Sequence, residues 1–342
     1  MLAGAVAFGL PLAIWLRYSR HVAGLGGLYA FVEAAAGRRT ALVQAGVWTF
    51  SYLLYIIYTT VQIVYDLLPA VVPGAIRYQT VLALAIPVAI AGVMIAGRTA
   101  ALLTIWLIAA GQLALAGVLG GVTLAHVSMP ASSFGTAAAA GPLAKAAGQT
   151  SLLYVCGSLP LFLGGELATP ARTIRRGLSA AFLVTAALIT LAVAPLAAAP
   201  GVLNTDVPGV RLMQQYAGAG WAEAIGIGVA VSTAGVILCE YYALTRLAHA
   251  IGRWPMRRIT VFVGAVAILA APLTLIDPVG FYNTLLEPSL VALWLSQLIV
   301  FAVYPRFAAR RAQRAWPAWV LSIGASAFAL YGVWTAVHPA GS

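Results

Sequence analysis

The chain has 342 residues, 62% of them hydrophobic and only 8% charged, with a formal net charge of +11. A soluble domain carries roughly 25% charged residues, so a chain this apolar cannot cover a water-facing surface and belongs in a bilayer. The Lys and Arg residues stand in short clusters between apolar runs and form no continuous basic face, which argues against nucleic acid as a partner.

A spanning helix needs roughly 17–25 apolar residues. By that measure the sequence predicts an all-α polytopic protein of about ten transmembrane helices. They lie over 1–16, 41–68, 79–97, 99–125, 150–168, 176–198, 222–250, 259–275, 280–304 and 317–337. A small-residue loop over 127–148 and a polar loop over 199–220 interrupt the series. No soluble domain is expected, and residues 1–342 form a single transmembrane domain.

Alternate loops fall on opposite sides. Of the 19 Lys and Arg residues, sixteen gather on one side, from Arg17 and Arg20 to Arg311 and Arg314. Only Arg77, Lys145 and Arg211 fall on the other. This bias marks the first side as cytoplasmic and predicts a multi-pass protein of the cytoplasmic membrane. The first span then runs inward, with no positive charge before it. A signal peptide carries its charges ahead of the apolar core, so the expectation is a further helix upstream of Met1.

The fifth span is interrupted by Cys156, Gly157, Ser158, Leu159 and Pro160, followed by Gly164 and Gly165. Proline removes a backbone donor and clashes one turn back, and glycine adds backbone freedom. Within a membrane, unwound backbone is tolerated only where protein or a water-filled cavity covers it, and transporters bind substrate at such points. The amides near Cys156, Gly157 and Ser158 are candidate donors to a carboxylate. The plainer alternative is a kink that makes room for packing. After it, Thr169 and Pro170 read as an N-cap and a first-turn proline.

Three acids fall within or near spans: Glu166, Glu240 and Glu287. Burying a charge at a helix centre costs roughly 2.5–3.5 kcal/mol on the insertion scale, so such residues face an interior. Glu166 is expected to pair with Arg172 or Arg175. Glu240, nearest a helix middle, is the candidate for proton coupling; the alternative is a buried partner for Arg246 or a tyrosine. Glu287, before Pro288, is placed at the outer vestibule. Tyr52, Tyr55 and Tyr58 recur at helical spacing, with Tyr55 a candidate for the substrate path and lipid or packing contact the alternative. Gly117 and Gly121 form GxxxG, read as close helix packing.

Cys156 and Cys239 have no CxxC partner, and the four histidines lack metal-ligand spacing. No Walker, GxSxG or HExxH motif is present. Neither an enzyme, a cofactor nor a metal site is expected, and no filter sequence points to a channel.

The stretch "LLYVCGSLPLFLGGELATPARTIRRGL" (152–178) resembles the sixth helix and following loop of the amino acid–polyamine–organocation superfamily. Glu166, Pro170, Arg172 and Arg175 keep that pattern's spacing, with Gly157 one residue closer to the proline than usual. "GLGGLYAFVEAAAG" (24–37), with Gly26, Gly27 and Tyr29, is similar to the family's Gly-Gly-x-Tyr loop. "GIGVAVSTAGVILCEYYALTRLAHAIGR" (226–253) resembles its eighth helix, ending in Arg246 and the residues after it. The order matches over nearly the whole chain.

The resemblance implies a five-plus-five inverted-repeat transporter fold, incomplete here. Family helices two to five correspond to about 1–125, six to ten to about 150–304, and eleven to about 317–337. It implies a secondary active permease of amino acids or related amines, coupled to protons or sodium. Ser232 and Thr233 then stand where sodium-coupled relatives supply hydroxyls, with helix packing as the alternative. The family's first helix, which grips the substrate carboxylate, is not among these residues, so the second expectation is a truncated, non-transporting scaffold.

Overall fold

The computed structural model describes residues 2–127, 147, 150, 154–190, 199, 201–202 and 207–338. The described residues are 89% helical and contain no strand, which makes the chain all-α. The helices are α1 (Leu2–Tyr18), α2 (Leu28–Ala36), α3 (Arg38–Gln62), α4 (Leu68–Val71), α5 (Gln79–Ile95), α6 (Arg98–His126) and α7 (Pro170–Leu188). After these come α8 (Pro208–Tyr216), α9 (Ala219–Gly252), α10 (Met256–Ala270), α11 (Pro278–Ala302), α12 (Tyr304–Arg310) and α13 (Ala315–Val337). A π turn, Ile63–Leu67, joins α3 to α4, and 3₁₀ turns precede α5 and follow α10. A third 3₁₀ stretch, Cys156–Glu166, stands alone before α7.

Among the described residues, six helical stretches are long and apolar enough to cross a membrane: Arg38–Val71, Pro73–Ile95, Arg98–His126, Ala219–Gly252, Pro278–Arg310 and Ala315–Val337. Their outward faces carry large apolar side chains, such as Trp106 and Ile323, each at 63% exposure. Apolar surface on this scale is unstable in water and is the solvent-facing side in lipid. The chain is a multi-pass membrane protein.

The bundle is built around α3, α9 and α11. Helix α11 lies along α3 and α13, α9 lies along α6 and also touches α3, α5 packs on α10, and α1 leans on α13. Hydrogen bonds tie the spans where the apolar effect between helices is lost to lipid. Ser51 Oγ donates to the Ser289 carbonyl at 2.7 Å and Ser289 Oγ to the Ser51 carbonyl at 2.9 Å. Ser322 Oγ donates to the Phe301 carbonyl at 2.8 Å, tying α13 to α11.

Contacts at the helix ends bring the arginine clusters together. Arg17 donates to the Tyr304 hydroxyl, Arg310 to the Ala34 carbonyl, and Arg20 shares a groove with Arg172, Arg175 and Arg176.

Some local expectations need correction. Among the described residues, nothing lies within 4 Å of where a Cβ would stand on Gly117 or Gly121, so no described helix packs against the GxxxG. Thr169 occupies the N-cap position of α7, but its hydroxyl meets Thr173 Oγ1 at 3.2 Å and caps no amide. Helices α2 and α8 lie in stretches expected to be loops; each has 9 residues, too short to register as a span. The 127–148 loop lies almost wholly outside the described residues.

Candidate functional site

The site assembles where α3, α9 and the 3₁₀ stretch meet. Runs of 3₁₀ helix longer than three or four residues are uncommon, yet this one holds 11, with Pro160 inside. The expected interruption is therefore present, and it extends past Pro160 to Glu166. Glycines let it seat deeply. A Cβ on Gly164 would stand 2.7 Å from the Gly24 amide nitrogen, so only glycine allows the 3₁₀ stretch to lie against the 23–27 loop. Gly27 has φ of +50°, and its α-carbon faces the Phe162 ring.

The Gly-Gly-x-Tyr segment thus works as a close-approach surface. Its Tyr29 starts α2 and donates to Glu33 at 2.8 Å. Burial, reinforced by that carboxylate, raises the Tyr29 hydroxyl above its usual range.

Toward the middle of the bundle, Phe162 packs on Trp48 at 4.7 Å between ring centres, and Trp48 stacks on Tyr52 at 4.2 Å. The aromatic file continues through Tyr55 and Tyr58 to Tyr282 of α11, with centre distances of 6.3, 5.0 and 5.5 Å. Tyr52 and Tyr58 are buried, so the stripe faces protein and not lipid.

Along the same face of α3, Gln44, Trp48, Tyr52 and Thr59 carry buried polar atoms without hydrogen-bond partners among the described residues. Ser158 Oγ on the 3₁₀ stretch is in the same condition. The Tyr52 hydroxyl lies near Ser158 and Cys156, but neither approach closes into a hydrogen bond.

Opposite this face stands Glu240. It is 0% exposed, and among the described residues neither carboxylate oxygen has a hydrogen-bond partner. Its carboxyl lies among Cys156, Cys239, Tyr52, Tyr55 and Tyr58. It sits twelve residues before the arginine-rich end of α9, about 18 Å along the axis. Neither Arg246 nor a tyrosine satisfies it, contrary to the alternative drawn from sequence.

Arg246 belongs to a second cluster nearer that end. Its Nε donates to Glu166 Oε1 at 3.0 Å, and its guanidinium lies 3.3 Å from the centre of the Tyr242 ring. Tyr242 donates to Glu166 Oε2 at 2.6 Å, and Arg98 Nε reaches the same oxygen at 3.0 Å. Glu166 therefore pairs with Arg246 and Arg98, not with Arg172 or Arg175. Those two arginines start α7 at the surface, and Pro170 holds its first position.

Of the residues singled out from sequence, the structure brings Cys156, Ser158, Tyr55 and Glu240 to one place. Gly157, Leu159 and Pro160 complete the 3₁₀ stretch beside them. Ser232 and Thr233 lie elsewhere on α9, about 12 Å along the axis from Glu240. Thr233 Oγ1 donates to the Val229 carbonyl of its own helix, while Ser232 lines a groove facing α6. Glu287 is exposed on α11.

Sequence reasoning passed over Arg98, Tyr242, Gln44 and Trp48. Tyr242 had a legible signal, standing four residues before Arg246 on one helix face. Gln44, Trp48 and Tyr52 repeat at the same interval.

Compared with models of known protein families the chain matches none, and it matches no curated protein.

Proposed function

We propose that this chain is a secondary active transporter of amino acids or related amines, of the amino acid–polyamine–organocation type, working by alternating access in the cytoplasmic membrane. The observation that carries this reading is Glu240: a fully buried carboxyl in mid-helix, unpartnered, facing a broken helix and a file of unpaired polar groups. Leaving a polar group unpaired in an apolar interior costs roughly 1–3 kcal/mol on mutational scales, and a charge much more. So many such groups on one surface make sense where a polar ligand takes up their hydrogen bonds.

In this reading the 3₁₀ stretch and Tyr55 receive the substrate, and Glu240 carries the coupling proton. Each passage of the site between faces then moves Glu240 either as the neutral acid or paired with a cation. The Glu166–Arg246–Arg98 cluster closes the path on the arginine-rich side. Sodium coupling through Ser232 and Thr233 is the weaker option, because Ser232 lines the groove against α6, about 12 Å along α9 from Glu240.

The arrangement of the helices also favours this type. Four further segments join the six clear spans to make ten. They are α1, with 17 residues; the 3₁₀ stretch; α7, with three arginines in its first two turns; and α10, with 15 residues before its 3₁₀ turn. With the ten taken in order as family helices two to eleven, a shift of five turns the α3–α11 contact into the α9–α6 contact. The same shift returns α3–α9, α5–α10 and α1–α7 to themselves, and all of these pairs are in contact. Five is odd, so the shift also reverses membrane direction, as an inverted repeat requires.

Uptake of labelled amino acids and amines into proteoliposomes, with and without a pH gradient, tests the proposal. Gradient-dependent accumulation of at least one compound is expected. No uptake of any would sink it.

A further inference from the structure

We propose that the groove between the end of α1 and the first turns of α7 binds the headgroup of an anionic phospholipid in the leaflet at the arginine-rich end. The groove encloses about 850 Å³ and is lined by Arg20, Arg172, Arg175, Arg176, Ser179 and Leu183, among others. A second recess of about 630 Å³ on the other flank of α7 shares Arg172 and Arg176. Positive charge therefore meets both sides of one short ridge.

The four arginines are exposed, and among the described residues none makes an ion pair or a hydrogen bond. Elsewhere at this end some guanidinia are engaged, while others, such as Arg253, Arg257 and Arg258, are exposed and likewise without a partner among the described residues. Arg98 and Arg246 hold Glu166, Arg17 holds Tyr304, Arg310 holds the Ala34 carbonyl, and Arg311 lies over Phe307. The α7 arginines also stand at the wrong end of their helix. An N-terminus carries a partial positive charge that favours anions, yet α7 has no acid in its first turn. A bound phosphate relieves both the mutual repulsion of the arginines and their clash with the helix end.

The order of groups along α7 follows that of a phospholipid. Arg172, Arg175 and Arg176 come first, then the Ser179 hydroxyl, then Ala180 and Leu183. From Arg176 to Leu183 is about 10 Å along the axis. Phosphate, glycerol ester and acyl chain fall in that sequence as the groove descends from the membrane surface. Leu183 is 65% exposed, free to meet an acyl chain. Basic pockets between spanning helices are the usual seats of anionic headgroups.

The test is a lipid titration of the purified full-length protein, read by native mass spectrometry. Phosphatidylglycerol and phosphatidylcholine of identical acyl chains are compared in the parent, in R172Q/R175Q/R176Q and in R253Q/R257Q/R258Q, which removes the same charge elsewhere. Phosphatidylglycerol is expected to bind the parent and the second variant alike, and to bind the first on the order of a hundredfold more weakly. This follows from a factor of about five per surface Lys or Arg. R172K/R175K/R176K is expected to keep much of the affinity, which separates lost charge from lost folding. Equal loss in both glutamine variants, equal binding of phosphatidylcholine, or full competition by millimolar inorganic phosphate would each overturn the proposal. None of these outcomes depends on whether the chain transports anything.

Discussion

Arg246 Nε donates to Glu166 Oε1 at 3.0 Å, and both side chains are largely hidden, at 6% and 13% exposure. Arg98 reaches the other oxygen at the same distance with its side chain 53% exposed. Breaking a buried pair by removing one partner costs about 3–5 kcal/mol, whereas an exposed pair contributes about 0–1 kcal/mol. Arg246→Gln should therefore lower the melting temperature in detergent far more than Arg98→Gln. Equal effects would mean that the buried pair contributes no more than the exposed one.

If the same cluster closes the arginine-rich side, loosening it exposes the site behind it. In a Cys239→Ser background, Cys156 of the Glu166→Gln variant should react faster with a maleimide added from that side. Saturating substrate should slow the reaction in the parent. Unchanged rates in both experiments would detach the cluster from gating.

Ser51 and Ser289 exchange hydrogen bonds between α3 and α11. Side-chain hydrogen bonds between membrane helices average about 0.6 kcal/mol and reach about 1.7. Ser51→Ala and Ser289→Ala should each destabilise by that order. Each alanine leaves the other serine's bond to its backbone carbonyl intact, so the two effects should add to within about 0.5 kcal/mol. Strong coupling in the double-mutant cycle would show that the helices separate once either bond is lost.

Gly164→Ala places a methyl group 2.7 Å from the Gly24 backbone nitrogen, which can move only with its chain. Overpacking of this kind costs about 1–3 kcal/mol. Gly117→Ala meets nothing within 4 Å among the described residues and gains helix propensity, so it should be neutral or mildly stabilising. The melting temperatures of the two variants should move apart.

The charge asymmetry makes a separate prediction about orientation. In a cysteine-free background, Gly74→Cys should react with an impermeant maleimide on intact cells. Trp254→Cys, in the arginine-rich loop after α9, should react only after the membrane is opened. The reverse pattern would invert the assignment of sides.

What the sequence made legible was mostly local. Six spans follow from apolar run length, and the break at Cys156–Pro160 from proline and glycine chemistry. Glu240 stood out because a carboxylate is rare in such a run. Contacts between distant segments left no such trace. Glu166 had arginines six and nine residues away in sequence, yet its partners come from positions 98 and 246. GxxxG in α6 meets no described helix, because the motif permits close approach but supplies no partner. Helices α2 and α8 escaped because a criterion set by bilayer thickness cannot register 9 residues.

The most direct measurement is transport by Glu240→Gln in proteoliposomes, set beside the parent. Glutamine keeps the size of the side chain but cannot exchange a proton. With Glu240 as the coupling carboxyl, the variant should lose accumulation driven by an inward pH gradient and keep exchange of labelled for unlabelled substrate. Full gradient-driven accumulation by Glu240→Gln would contradict the assignment.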